Sequence, residues 1–519
     1  MKRRNAKTLM FLGTGSDVGK SVLAAAFCRI LRQDGFRVAP FKAQNMALNS
    51  FITPEGGEMG RAQVVQAEAA GIEPHVDMNP ILLKPTSQVG SQVIVLGKAV
   101  GNFTAKDYYR VKRTLVPVVR EAFERLSARY DVIVLEGAGS AVELNLKEHD
   151  LVNMAMAEMA DAPCILVGDI DRGGIFASLL GSLMLLEASE RDRLIGFMVN
   201  KLRGDPALFE SGVAILEARS GKPVLGIVPY FDHIAIAEED SVALTRRMKR
   251  KPEGSEGAAV RIGVLRLPYV SNYTDFDCFE QEPAVDLVYF DRPAEVFTMD
   301  AVILPGSKNT LEDLAHLHRN GVADALVAFH KAGGVVVGLC GGFQMLGASV
   351  RDPHGVESRI EEVRGLALLP MVTEMFPEKI TTQVKVRAEP GNPIGAGGQM
   401  LLGYEIHMGR SRSLGDGARP LFRIIERNRE PVPEGEALDG LATPDGRAWG
   451  TYLHGIFDND AFRREFIGRI LSRSGRRRSD AEGGPLSYAT WKEEQFDRLA
   501  EHVRRHCDVE RIYRLAGIR

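Results

Sequence analysis

The stretch Val335-Val-Val-Gly-Leu-Cys340-Gly-Gly-Phe-Gln-Met-Leu346 decides the reading of this chain. An apolar run meets a small-residue turn, and Phe343, Met345 and Leu346 then follow a helical pattern. A strand that stops at such a turn and restarts as a helix puts the middle side chain on a sharp corner. Glycine on either side tolerates strained backbone angles and lets a reacting carbonyl come close. Cys340 is expected to stand exposed there, beside a helix N-terminus whose dipole favours a thiolate. An isolated cysteine is usually a small buried core residue, but this setting is that of a nucleophile.

A chain of 519 residues is too long for one ordinary core, so two or three domains are expected. Hydrophobic residues make up 45% and the formal net charge is −3, which argues against a bulk nucleic-acid binder. The five cysteines (Cys28, Cys164, Cys278, Cys340, Cys507) are scattered without a C-x-x-C spacing. That excludes a disulfide framework or a thiolate zinc site and fits a reducing cytoplasm. Leu9-Met-Phe-Leu12 is too short an apolar run for a signal peptide or a membrane span. Nothing in the sequence sets an oligomeric state.

Residues 8–12 read as a strand, and Gly13-Thr14-Gly15-Ser16-Asp17-Val18-Gly19-Lys20-Ser21 follows it. Val22, Leu23, Ala26, Phe27, Ile30 and Leu31 then recur at helical spacing. Strand, glycine-rich loop, Lys-Ser and helix form a phosphate-binding loop. Its N–H groups would cradle nucleotide phosphates, Lys20 would neutralise the outer ones, and the Ser21 hydroxyl would ligate Mg²⁺. The usual pattern has glycine where Thr14 stands. Further buried strands are expected at 132–135, 164–167, 195–199 and 224–228, with helical patterns around 107–129 and 175–188. This alternation implies an α/β fold, a mostly parallel sheet with helices on both faces, and ligands at its carboxyl edge. Glu136, closing the Val132–Leu135 run, is placed to hold Mg²⁺. Asp169-Ile-Asp-Arg-Gly-Gly174 reads as a second edge or a salt-bridged loop, and Asn200 would face the nucleotide base.

Residues 246–258 are charged, glycine-rich and aperiodic, and read as a linker between a first domain at 1–245 and a second at 259–472. The second has strands at 262–267, 285–289, 301–304 and 335–337. Pro305-Gly306-Ser307-Lys308 ends the third, so a backbone N–H of Gly306, with that of Gly341, would hold an oxyanion. Residues 389–399 read as a loop. His454 ends another strand and is the natural base for Cys340. From about 473 the chain is basic and then helical, with Phe496, Leu499, Ala500 and Val503 on one face.

A Cys–His pair with an oxyanion pocket is equipment for acyl transfer through a thioester. A phosphate loop with Mg²⁺ is equipment for phosphoryl transfer. One reaction uses both: ammonia is released from an amide and joined to a carboxylate that a nucleotide has activated. Ammonia would become ammonium in bulk water, so a shielded passage is expected.

Gly338-Leu-Cys340-Gly-Gly-Phe-Gln with Tyr452-Leu-His454-Gly resembles the class I glutamine amidotransferases. The loop at 13–21 and Glu136-Gly-Ala-Gly139 resemble the dethiobiotin synthetase-like ATPases, which share the shifted glycine. Phe41-Lys-Ala-Gln-Asn-Met46, Asp169–Gly174, Ser271-Asn-Tyr-Thr-Asp-Phe-Asp277, Pro305–Lys308 and Gly403-Tyr-Glu-Ile-His-Met-Gly409 resemble the cobyric acid synthase family across residues 8–516. That resemblance implies ATP- and glutamine-dependent amidation of the b, d, e and g carboxylates of an adenosylated corrinoid, with Cys340 as nucleophile and His454 as base. Where broader amidotransferases carry glutamate two residues after the histidine, this chain has Ile456. The resemblance therefore implies a dyad with slow glutaminase activity, and either Glu405 or Asp458 could orient His454. Cobyrinic acid a,c-diamide synthase is the neighbouring alternative. A phosphate-loop ATPase with a non-catalytic amidotransferase-like module is the alternative of another class.

Overall fold

The computed structural model describes residues 6–85, 90–231, 233–237, 260–415, 417–433, 437–475 and 487–519. The expected linker at 246–258 lies outside them, as does most of the basic run after 475. The described residues fall into two compact units. One is drawn from Met1–Ala47, Met59–Ala237 and Thr490–Arg519, the other from Leu48–Glu58 and Glu238–Ala489.

The first unit is built on six parallel strands in the order Val224–Pro229, Leu194–Leu202, Cys164–Asp169, Lys7–Gly13, Val132–Glu136, Val38–Phe41. Val132–Glu136 and Cys164–Asp169 are buried along their whole length, as strands covered on both faces must be. Phe11 pairs with Glu136, Gly13 with Val167 and Asp169 with Asn200, so these polar ends share the carboxyl edge. The helix Lys20–Gln33 lays Leu23, Phe27, Ile30 and Leu31 on the sheet. The pattern at 107–129 resolves into two helices, Ala105–Lys112 and Val116–Ser127, with a tight turn at Arg113–Leu115. Pro117 causes the break, since it lacks an N–H and is tolerated only in a first helical turn. The final helices Tyr488–His506 and Val509–Leu515 send Phe496, Leu499, Val503, Ile512 and Tyr513 into this core. Arg29 meets Glu493 at 2.7 Å and Asp497 at 2.8 Å.

In the second unit five parallel strands run in the order Val285–Phe290, Val260–Leu265, Ala301–Leu304, Val335–Leu339, Ala448–Thr451. Beyond Ala448–Thr451 the sheet continues antiparallel through Leu438–Ala442, Arg419–Arg427 and the long strand Met371–Ala388. Val335–Leu339 is thus flanked by one strand that leads to Gly306 and another that leads to His454. Residues 389–399 are a loop between Met371–Ala388 and Met400–Ser413. Leu48–Glu58 adds the short strand Ser50–Ile52; Asn272 Oδ1 accepts from the Ser50 N–H at 3.2 Å, and Asn49 Oδ1 from the Tyr273 N–H at 3.3 Å.

Candidate active sites

Cys340 sits at φ 50°, ψ −107°, between Val335–Leu339 and the short helix Gly341–Met345. A non-glycine residue at positive φ is strained and is held there by its surroundings. A Cβ on Gly338 would lie 2.5 Å from the Gly342 carbonyl oxygen, and one on Gly342 would lie 2.0 Å from that of Leu304. These glycines let neighbouring backbone close around the corner. The Cys340 N–H donates to Thr451 at 2.9 Å, and its carbonyl accepts from Gln344 at 3.0 Å. The expectation of an exposed thiol is corrected: Cys340 is only 6% exposed, with Sγ 3.5 Å from the Ile406 carbonyl.

His454 is buried beside it, close enough for the two to influence each other's charge. Neither Glu405 nor Asp458 orients the imidazole. Its Nδ1–H donates to Asp275 Oδ2 at 2.6 Å, while Asp275 Oδ1 accepts from the Gly455 N–H at 2.9 Å. With Nδ1 taken, the other ring nitrogen is left for Cys340. Tyr404 stacks on the ring, centroids 5.2 Å apart and planes 21° from parallel. Burial alone would push the imidazole down, but the Asp275 charge and hydrogen bond, with the Cys340 contact, push it up to about 10. Glu405 instead accepts from Thr382 at 2.9 Å and Arg427 at 3.2 Å. Asp458 lies in the Ile456–Asp458 turn. Gly306 and Gly341 border the corner. A Cβ on Gly306 would lie 3.2 Å from His454 Cε1, and one on Gly341 would lie 2.8 Å from the Ser307 nitrogen.

In the first unit, Lys20 Nζ curls back over its own loop to donate to the Gly15 carbonyl at 2.8 Å and the Gly139 carbonyl at 2.9 Å. A Cβ on Gly13 would lie 2.8 Å from that ammonium. Gly19 takes φ 100° at the start of the Lys20–Gln33 helix. Thr14 needs no left-handed backbone, and its N–H donates to Val167 at 3.0 Å, so glycine is not required there. Asn200 Nδ2 donates to the Val18 carbonyl at 2.8 Å, which seats that amide against the loop.

Glu136 is fully buried and closely partnered. Its Oε1 accepts from Ser21 Oγ and Lys42 Nζ, each at 2.7 Å, and its Oε2 from Gln66 Nε2 at 2.6 Å. Burial would raise its pKa, yet the Lys42 charge and these bonds hold it below the usual carboxylate range, so it stays ionised. Lys42 stands within the Phe41–Met46 motif and has no role assigned from the sequence alone. Its chemical signal was an amine directly after the edge strand Val38–Phe41. Among the described residues no three His, Cys, Asp or Glu side chains converge as a metal cluster. Ser21 and Glu136 offer adjoining hard oxygens, the donor set that suits Mg²⁺ completed by phosphate and water. The Asp169–Gly174 segment is a salt-bridged loop: Asp169 meets Lys201 at 3.0 Å and Asp171 meets Arg203 at 2.6 Å.

Residues 9–244 match the model of the CobQ/CobB/MinD/ParA nucleotide binding domain, and residues 261–462 that of the CobB/CobQ-like glutamine amidotransferase domain. The chain is 69% identical to a cobyric acid synthase of Syntrophobacter fumaroxidans over 515 residues, 99% of each chain. A cobyric acid synthase of Pelotomaculum thermopropionicum is 48% identical, covering 99% of this chain and 97% of its own. The chain belongs to the cobyric acid synthase family. As a member of this family of cobalamin biosynthesis it is a glutamine-hydrolysing amidoligase, and its two matched domains fit ATP-dependent amidation. Among the described residues, no helix of this cobyric acid synthase family member is long and apolar enough to cross a membrane.

Proposed function

We propose that the chain amidates the b, d, e and g carboxylates of adenosylcobyrinic acid a,c-diamide in the cytoplasm, with ATP and with ammonia drawn from glutamine, to give adenosylcobyric acid. The observation that carries this reading is the buried line Cys340–His454–Asp275 in a chain whose other unit holds a phosphate loop. At neutral pH an imidazole pushed up to about 10 is protonated, and its charge stabilises an anionic sulfur beside it. Sγ attacks the glutamine carboxamide carbon, and the N–H groups of Gly306 and Gly341 receive the oxyanion. His454 gives its proton to the departing ammonia, leaving a thioester and a neutral ring. The ring then takes a proton from water as hydroxide displaces the thiolate, and glutamate leaves. Asp275 keeps Nδ1 protonated throughout.

In the nucleotide unit, Gly13, Thr14, Gly15 and Gly19 shape the cradle, Lys20 neutralises the outer phosphates and Asn200 braces the loop. Ser21 and Glu136 would hold Mg²⁺, which when bound supplies charge neutralisation on the phosphate oxygens. The corrinoid carboxylate takes the terminal phosphoryl group, since the acyl phosphate has the leaving group that a free carboxylate lacks. Ammonia, delivered shielded from bulk water, then displaces phosphate.

Mass spectrometry of the corrinoid after incubation with glutamine, ATP and Mg²⁺ tests this. Four added amides are expected. Two amides added to cobyrinic acid itself would mark an a,c-diamide synthase. ATP turnover with no amide formed would mark the amidotransferase unit as non-catalytic.

A further inference from the structure

The first unit contains a cavity of about 360 Å³ whose wall includes Ala138, Gly139 and Ser140. The opposite side of that loop carries the Gly139 carbonyl that Lys20 Nζ touches at 2.9 Å. The Asn153 amide stiffens it, accepting from the Ala138 N–H at 3.0 Å and donating to the Ser140 carbonyl at 3.0 Å. The cavity therefore opens one loop away from the lysine that faces the phosphates.

Its lining combines apolar lips with a partly buried cation, Lys112, that feels the charge of Asp150. Met46, Leu144 and Leu185 are 57%, 51% and 49% exposed, unusual for large apolar side chains gathered around one opening. Tyr109 and His149 form an aromatic wall, ring centroids 5.1 Å apart, and among the described residues the buried His149 Nδ1 has no hydrogen-bond partner. Lys112 Nζ lies 5.9 Å from the Tyr109 ring centre, and among the described residues no carboxylate approaches it within ion-pair distance. Of the three acids on the wall two are already engaged, and the third, Glu143, is exposed. Glu190 pairs with Lys147 at 3.0 Å, and Asp150 accepts the N–H groups of Val152, Asn153 and Ala155 at 3.0, 2.9 and 2.9 Å. Gln44 and Met46 on its wall come from the Phe41–Met46 segment. A larger cavity of about 740 Å³ in the same unit is lined by acids (Glu158, Asp161, Asp192) and bases (Lys147, Arg193, Arg514) together, with no aromatic ring among its lining residues to pack a macrocycle.

We propose that the cavity beside the Ala138–Ser140 loop receives the carboxylate-bearing edge of the corrinoid acceptor, with Lys112 meeting a peripheral acid and Tyr109, Leu144 and Leu146 packing the apolar macrocycle. At 360 Å³ it sits at the low end of pockets that enclose even a drug-sized ligand, so it grips one edge and leaves the rest of the ring outside. The inference rests on the function proposed above and adds where the acceptor binds.

Binding of adenosylcobyrinic acid a,c-diamide to the full chain, read by ultrafiltration and corrin absorbance, tests it. Lys112→Met and Leu146→Glu are each expected to weaken binding about tenfold or more, with melting temperature kept within about 2 °C. The wild type should also bind the acid more tightly than the fully amidated product, and Lys112→Met should narrow that difference, which a merely structural role would not do. Wild-type affinity in both variants, or an unchanged difference, overturns the cavity assignment while leaving the amidation reading intact. A wild type that binds no corrinoid at all overturns both.

Discussion

His454 is held by a carboxylate on Nδ1 and lies beside the Cys340 thiol, and its protonation follows from that. Its folded pKa of about 10 exceeds the unfolded value of about 6.5. The stability this shift contributes is therefore fully present below about pH 6.5 and is lost as pH rises through about 10. Asp275→Asn should lower the melting temperature most at pH 6, less at pH 8, and least above pH 10, in melts across that range. The same substitution should cut glutaminase turnover by about 10²–10⁴-fold, because the ring loses both orientation and charge. Cys340→Ala should abolish amidation driven by glutamine and leave amidation driven by ammonium salts working, measured as amides per corrinoid. Loss of both would show that the thiol serves the synthetase site as well.

At the scale of elements, the two sites are two versions of one device, a buried strand that ends in a glycine turn and feeds a helix. Gly13 and Gly19 shape one and Gly338, Gly341 and Gly342 the other, in each case because backbone, Lys20 or the Asn200 amide occupies the space a Cβ would need. Gly342→Ala forces a methyl to within 2.0 Å of the Leu304 carbonyl oxygen. It should cost about 1–3 kcal/mol or more of stability and displace the Cys340 corner, seen as a lower melting temperature together with lost glutaminase activity. Lys20→Ala leaves the turn intact but removes its cation, so amidation should fail with glutamine and with ammonia alike. Both corners were legible from the sequence, since local backbone sterics and the switch of apolar period lie within a dozen residues.

For the whole molecule, chain order and spatial order part company in two places. Leu48–Glu58 leaves the first half of the sequence to join the second unit, and Thr490–Arg519 returns from the far end to complete the first. Phe496, Leu499, Val503, Ile512 and Tyr513 are buried there. At about 1.5–3 kcal/mol for each such side chain, losing them exceeds or rivals the net stability of about 5–15 kcal/mol that a domain has. Deleting residues 490–519 should thus unfold the nucleotide unit and leave a single calorimetric transition from the amidotransferase unit.

Sequence alone determined the α/β class, the two strand–turn–helix corners and the pairing of a cornered cysteine with a strand-end histidine, because periodicity and backbone sterics act over a few residues. It left the acid behind His454 between Glu405 and Asp458, expected Cys340 to be exposed, and assigned no partner to the final helices. Those matters belonged to the tertiary structure. Asp275 stands 179 residues from His454, and Lys42 stands 94 from Glu136. Whether two charges meet depends on their distance in space after the sheet has closed, which no local pattern of residues encodes.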